Sequence, residues 1–303
     1  MNDHIELGDN DAPVQAPDQL RAAILMEALP YIRAYQGARV VIKYGGRAMI
    51  DPKLQKALAL DVALLKFVGV NPVVVHGGGP QIDELLKKLN INSQFVEGYR
   101  FTDELTLDVV RMVLGGRIGK DIAARLSLAG AQALALTGQD GSLLKATRKK
   151  LAQTSGVELD IGLVGEPTEV NAELLTRLIA IGVIPVISPV GVDDRGQSYN
   201  INADSAAAAV AVALKASRLI LLTDVPGVLD ESQTLIPRIL SSQIPLLRQN
   251  GIISGGMLPK LSSCLTALNG GCQGAAIIDG RTPHAVLLEL LTARGSGTEV
   301  ALG

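Results

Sequence analysis

Six short apolar runs, Val40 to Tyr44, Pro72 to Val75, Ala133 to Leu136, Gly182 to Ser188, Leu219 to Leu222 and Ala275 to Ile278, are separated by segments of helical period. Strands apolar on both faces that alternate with helices belong to a parallel sheet covered on both sides, so the fold class is expected to be α/β. The 303 residues leave room for one large domain or two ordinary ones. With 48% hydrophobic and 19% charged residues and a net charge of -2, the chain is neither disordered nor a polyanion binder, and nucleic acid is not an expected partner. Aromatics are 3% with no Trp, so the core must be aliphatic and Ala-rich. Cys264 and Cys272 are too few for a zinc cage or a disulfide framework and fit a reducing cytoplasm, the expected location. No apolar run reaches the roughly 18 residues of a membrane span.

Residues 1–19, acidic at Asp3, Glu6, Asp9 and Asp11, read as a solvated, disordered tail rather than a cationic leader. Leu20, Ile24, Leu25, Leu29 and Ile32 then recur at helical spacing, so residues 20–36 are expected to form a helix kinked at Pro30, with an apolar stripe to hide. Between Ser142 and Gly165 short polar and β-branched pieces suggest hairpins inserted on the sheet edge. Gly191 to Asn200 suggests a second turn-rich excursion.

Ligands of such sheets sit beyond the carboxyl ends of the strands, and there this sequence concentrates glycine. Lys43-Tyr44-Gly45-Gly46 follows one strand, His76-Gly77-Gly78-Gly79-Pro80 another, and Thr223-Asp224-Val225-Pro226-Gly227 a third. The tract ending in Pro80 enters a helix, where glycines let backbone N–H groups approach an anion at the positive helix end. Three sharper readings fail: Ile82 breaks a dinucleotide fingerprint, no serine sits in a GxSxG elbow, and Leu114 and Asp121 break the Walker pattern before and after Gly119-Lys120. Lys43 is either a solvated strand-end charge or a cation aimed at a ligand, and Gly45-Gly46 favours the second. Lys260, entering a helix after Gly255-Gly256, is a further candidate cation. Asp204, in Asn200-Ile201-Asn202-Ala203-Asp204, is either a helix-end acid or the anion that holds two lysines apart. Arg100, between Tyr99 and Phe101, is either stacked or a fork for a carboxylate. No His, Cys, Asp and Glu spacing resembles a metal site, so no tightly bound metal is expected. Glycine turns for anions, two lysines and no acid–base dyad describe phosphoryl transfer, where positioning and charge neutralisation supply nearly all the catalysis.

These motifs, together with Glu27-Ala28-Leu29-Pro30-Tyr31-Ile32 and Gly255-Gly256-Met257-Leu258-Pro259-Lys260, stand in an order that resembles the amino-acid kinase family from about Leu20 to Thr298. The resemblance implies a three-layer αβα sandwich around a mainly parallel sheet. It also implies an N-terminal lobe, 37–190, for N-acetyl-L-glutamate and a C-terminal lobe, 191–303, for ATP carried with Mg2+. Lys43, Lys260 and Asp204 would then be catalytic, and Gly78, Gly79, Arg100 and Asn200 would hold the substrate. Gly45, Gly46, Thr223, Asp224 and Gly227 would line the nucleotide site. The product would be the acyl phosphate of arginine biosynthesis; the one-carbon-longer N-acetyl-2-aminoadipate, or a non-catalytic nucleotide or arginine sensor, is the alternative. The N-terminal helix resembles that of arginine-inhibited members, in which such helices interlace three dimers into a hexamer. Tyr31, His284, Glu289 and Gly297 occupy the matching L-arginine positions. Photosynthetic relatives bind the PII signalling protein, and no residue set in this sequence marks that contact.

Overall fold

The computed structural model describes residues 17–152 and 158–303. Of the expected tail, residues 1–16 lie outside the described residues, and helix α1 (Asp18–Tyr35) already begins at Asp18, with Pro30 inside it. Next come β1 (Arg39–Tyr44), α2 (Pro52–Phe67), β2 (Asn71–His76) and α3 (Gly79–Lys88). A ribbon of β3 (Phe95–Val96) and β4 (Tyr99–Arg100) precedes α4 (Glu104–Arg111), which passes through a π-helical stretch, Met112–Ile118, into α5 (Gly119–Leu128) and β5 (Ala133–Thr137). β6 (Leu144–Ala152), β7 (Glu158–Val170), α6 (Ala172–Ala180), β8 (Ile184–Ser188), β9 (Val190–Val192) and β10 (Ser198–Ile201) follow. The last part comprises α7 (Ala203–Ala213), β11 (Arg218–Thr223), β12 (Arg238–Leu240), α8 (Ile244–Gln249), α9 (Met257–Asn269), β13 (Ala275–Asp279), α10 (Ala285–Leu291) and β14 (Gly297–Ala301).

All six apolar runs lie in one eight-stranded sheet of order β12-β14-β13-β11-β1-β2-β8-β5. The six strands from β13 to β5 are parallel, whereas β14 pairs antiparallel with β13, and β12 runs parallel to β14. Gly182 is not in β8: at φ +87 it closes the turn after α6, a backbone state glycine reaches without strain. Strand residues point alternately to two cores. Val40, Ile42, Tyr44 and Val74 face α2, α3, α5 and α10, while Val41, Val73, Val75 and Leu219 face α6, α7 and α9. The result is a three-layer αβα sandwich. Lys43 follows the parity of Val41 and therefore points at α7.

The expected edge insertion is instead a small closed barrel of β10-β7-β6-β9, separate from the large sheet. Its closure depends on missing side chains: a Cβ on Gly165 would meet that of Tyr199 at 2.6 Å, and one on Gly191 would meet Ile201 at 2.5 Å. The 190/191 lobe boundary implied by the resemblance falls within β9, and β1 pairs directly with β11 across it.

Candidate active site

β1 lies where the sheet grows outward in both directions, the usual location of a ligand crevice in open α/β sheets. At its carboxyl end three charges meet below the surface. Lys43 Nζ is 2.9 Å from Asp204 Oδ1, and Lys260 Nζ donates to Asp204 Oδ2 at 2.8 Å. Lys43 comes from β1, Asp204 from the first turn of α7 and Lys260 from the first turn of α9. The Asn202 side chain caps α7 by accepting from the N–H groups of Asp204 and Ser205, fixing where Asp204 emerges. Lys43 and Asp204 are buried, at 8% and 6% exposure. Burial alone would raise the Asp204 pKa, but the two ammonium groups overcome it and hold the carboxyl down to about 2. Burial lowers the Lys43 pKa, and the Lys260 charge adds to this against the pull of Asp204. The cluster therefore carries one uncompensated positive charge, backed by the positive ends of α7 and α9.

The glycine turns border this cluster. Gly45 leaves space for the Lys43 ammonium, which a Cβ would meet at 2.6 Å. Gly46 sits at φ +70 with Asp224 Oδ1 only 2.3 Å from the position of a Cβ. That Asp224 oxygen accepts from Arg47 N at 2.6 Å, so the residue after β11 fixes the turn after β1. Thr223 ends β11 beside Asp279 of β13. Gly227, at φ +148, packs onto Thr298 of β14, a tight local contact. On the other side Gly77 donates to the Tyr44 carbonyl and lies 3.9 Å, Cβ position to Cβ, from Ala203 of α7. Gly78 packs its bare backbone on Leu114 and Ile118, whereas Gly79, opening α3, has open space where its Cβ would be.

Arg100 is buried beside that helix start. Its guanidinium donates to Asp83 Oδ1 at 2.5 Å, to Ser93 Oγ and to the Gly79 carbonyl. Neither flanking aromatic stacks on it: the ring under Arg100 is Phe95, at 4.6 Å, and Tyr99 takes Lys149 instead. Asn200 joins the same group by donating to Thr102 Oγ1 at 3.2 Å, which in turn donates to the Arg100 carbonyl.

His76 escaped the sequence reading as more than the start of a turn, and it is fully buried. Its Nδ1–H donates to the Gly77 carbonyl, which leaves Nε2 to accept from Ser188 Oγ at 2.8 Å. The same hydroxyl donates to the Leu114 carbonyl of the π-helical stretch at 3.0 Å, so its one proton is shared between the two acceptors. Two strands and a helix are thereby tied beneath the Gly77–Gly79 turn.

Of the residues matched to arginine binding, Tyr31 lies on α1, which packs against α10. His284 stands at φ +60 before α10, and Gly297 begins β14, where the Ile277 carbonyl leaves no room for a Cβ. Glu289, on α10, accepts from Ser296 N, and burial raises its pKa. His284 Nδ1 is 2.6 Å from Oδ1 of Asp61, a buried acid on α2 with no sequence signal of its own.

Asp61 and His76 give opposite responses to acid. Burial pushes the Asp61 pKa up to about 6 from an ordinary 3.8, against the pull of His284, and pushes His76 down to about 4 from 6.5. A depressed histidine loses its stabilising contribution as pH falls from 6.5 to 4, about 3 kcal/mol by linkage. A raised carboxyl gains about as much from 6 to 3.8. The two contributions therefore oppose each other across this window, and Asp61→Asn is expected to become less stable relative to the native chain by about 3 kcal/mol as pH falls from 6.5 to 4. Urea titrations at stepped pH measure this, and a variant that tracks the native chain would contradict the balance.

The amino acid kinase family profile matches residues 38–279. A protein of Nitratidesulfovibrio vulgaris (strain DP4) named acetylglutamate kinase is 52% identical over 286 residues, 93% of each chain. The chain belongs to the amino acid kinase family. This amino acid kinase is also 51% identical over 284 residues to the acetylglutamate kinase of Gluconacetobacter diazotrophicus, covering 92% of the former and 91% of the latter. Among solved structures, N-acetylglutamate synthase from Neisseria gonorrhoeae complexed with coenzyme A and N-acetyl-glutamate aligns with a TM-score of 0.81 at 27% identity over 92% of the kinase, which spans 63% of that synthase's length. The same synthase complexed with coenzyme A and L-arginine gives 0.77 at 26% identity over 92% of the kinase and 65% of the synthase.

Proposed function

We propose that this chain transfers the γ-phosphoryl group of ATP to the γ-carboxylate of N-acetyl-L-glutamate in arginine biosynthesis. The observation that carries this reading is the buried Lys43–Asp204–Lys260 cluster between glycine turns, in a chain half-identical to proteins named acetylglutamate kinase. A carboxylate oxygen attacks the γ-phosphorus in line, the bond to the β-phosphate bridging oxygen breaks, and ADP leaves with that electron pair. No general base is required, because the attacking carboxylate is already ionised near neutral pH. Lys43 and Lys260 neutralise the transferring group, and Asp204 fixes their positions. Gly45, Gly46, Gly78 and Gly79 offer N–H groups to phosphate and to the acceptor carboxylate, and Thr223, Asp224 and Gly227 belong to the nucleotide side. Arg100 and Asn200, linked through Thr102, hold the α-carboxylate and acetamido end, with Arg100 exchanging part of its Asp83 contact for substrate.

Mg2+ fits as a companion of the nucleotide. Among the described residues no three acidic, His or Cys side chains converge on one point, and Asp204 is already engaged by two lysines, so phosphate oxygens and water would supply its ligands. When bound it would neutralise charge on the β- and γ-phosphates.

The reading extends to a cytoplasmic homo-hexamer inhibited by L-arginine. Leu25 and Met26 of α1 are 68% and 65% exposed, an apolar stripe suited to a second copy. Tyr31 on α1 and Glu289 on α10 lie on helices that pack together, and the half-buried Glu289 suits a guanidinium, with His284 and Gly297 completing the arginine set in this reading. A hydroxylamine-trapped acyl-phosphate assay with MgATP tests the function. N-acetyl-L-glutamate is expected to turn over in preference to N-acetyl-2-aminoadipate, glutamate and aspartate, and arginine to suppress it. Preference for the longer acid, or no turnover by folded protein, would overturn the assignment, and unchanged activity with arginine would remove the inhibition.

A further inference from the structure

The glycine turn after β2 rests on a side chain that has no place in the proposed chemistry. His76 ends β2, and its fully buried ring reaches the turn that follows. Nδ1 is 2.8 Å from the Gly77 carbonyl, an oxygen that can only accept, so Nδ1 carries the proton. In a trans peptide the carbonyl and the following N–H point in opposite directions, and the Gly77–Gly78 peptide is trans. With the Gly77 carbonyl drawn toward the imidazole, the Gly78 N–H is turned away from it. Gly78 is buried, and among the described residues its N–H donates to no protein acceptor. A buried N–H without a partner is rare, and this one stands immediately before α3, where an anion is favoured.

The ring is fixed from its other side as well. Ser188 ends β8 and shares its hydroxyl proton between His76 Nε2 at 2.8 Å and the Leu114 carbonyl at 3.0 Å. An Nε2 that accepts keeps the ring proton on Nδ1. Gly119 leaves space for the pair, since a Cβ there would stand 3.1 Å from Ser188 Oγ and 3.2 Å from His76 Nε2. Leu114 and Ile118 also press on the bare Gly78 backbone, where a Cβ would meet them at 2.6 Å and 2.5 Å. The π-helical stretch thus lends a carbonyl to Ser188 and two side chains to Gly78, in keeping with the concentration of such turns at functional sites.

We propose that His76 is a positioning residue for the phosphoryl transfer set out above, on which this inference rests. Its Nδ1–H fixes the Gly77 carbonyl so that the Gly78 N–H faces the negative oxygens of the reacting groups, and Ser188 holds the imidazole in the tautomer that does this. His76 itself touches no reactant. A donor aimed at developing charge contributes most in the transition state, so its misplacement is felt in kcat rather than in KM.

Two amides divide the two ring contacts between them. Asn carries its amide where Nδ1 stands, and Gln carries it where Nε2 stands. His76→Asn is expected to keep kcat within about threefold, whereas His76→Gln, which gives up the Gly77 carbonyl, is expected to lower it at least about tenfold with KM for ATP little changed. Each variant loses one of the two contacts, so their urea midpoints are expected to fall alike; a His76 that only supports the fold would make kcat follow stability instead. Ser188→Ala, which frees the tautomer, is expected to lower kcat severalfold. Crystal structures of the two His76 variants are expected to show the Gly77–Gly78 peptide turned with Gln and kept with Asn. The chain has only three histidines, so the 15N imidazole spectrum of the native protein at neutral pH reads the tautomer directly, whether or not a variant folds. A protonated Nδ1 and a bare Nε2 are expected. Equal kcat in the Asn and Gln variants, an unmoved peptide in the Gln variant, or a native His76 protonated on Nε2 alone would overturn the proposal. A native chain that failed to turn over N-acetyl-L-glutamate would instead overturn the proposed function, while tautomer and peptide orientation would still decide whether His76 sets the turn.

Discussion

Asp204→Ala is expected to cost about 3–5 kcal/mol of unfolding free energy, because it leaves two buried ammonium groups facing each other without a counter-charge. The geometry sets this scale: Asp204 is 2.9 Å from one lysine and 2.8 Å from the other, and all three side chains are at most 16% exposed. The loss should shrink as pH rises. A buried lysine whose pKa is depressed binds fewer protons folded than unfolded, so stability climbs with pH as the unfolded chain sheds its own. Burial already lowers the Lys43 pKa with Asp204 in place, and removing the carboxylate lowers it further. Urea unfolding at pH 7 and pH 9.5 measures both the loss and its recovery. A variant as stable as the native chain would show that the lysines swing out to solvent rather than depend on Asp204. Turnover is expected to disappear with the fixed positions of the two cations.

Lys260→Met should separate chemistry from folding. It leaves Lys43 and Asp204 as a balanced pair, so the fold is expected to hold, while kcat falls about 10²–10³-fold, the usual effect of removing one group that stabilises transition-state charge. KM for the acceptor is expected to change little, since its proposed contacts are Arg100 and Asn200 on the far side of the glycine turns. Steady-state kinetics with each substrate varied would check this. A rise in KM for ATP with kcat preserved would make Lys260 a ground-state nucleotide contact instead.

The features legible in the sequence were those marked locally. Each strand of the parallel sheet is an uninterrupted apolar run, and Lys43, Asp204 and Lys260 each stand at an element end beside glycine or asparagine, where an ordered set of motifs could single them out. Features built from distant pairs had no such mark. Asp61 meets His284 across 223 positions and His76 meets Ser188 across 112, and neither pair follows a helical or strand period. The barrel has no such mark because its strands mix charged and polar residues with apolar ones, and its closure rests on Gly165 and Gly191 accepting neighbours from other strands. Arg100 stacks, but the ring under it belongs to Phe95, brought across the β3–β4 ribbon, rather than to the adjacent Tyr99 or Phe101.

The direct pairing of β1 with β11 has a mechanical consequence. A nucleotide and an acceptor bound on either side of β1 would rest on one hydrogen-bonded sheet, with no linker between their supports to act as a hinge. Bringing two anions together would then fall to elements off the sheet, such as the β3–β4 ribbon and the small barrel. The sheet would serve as a rigid anvil under Lys43 on β1, while Lys260, carried on α9, would keep its place through Asp204.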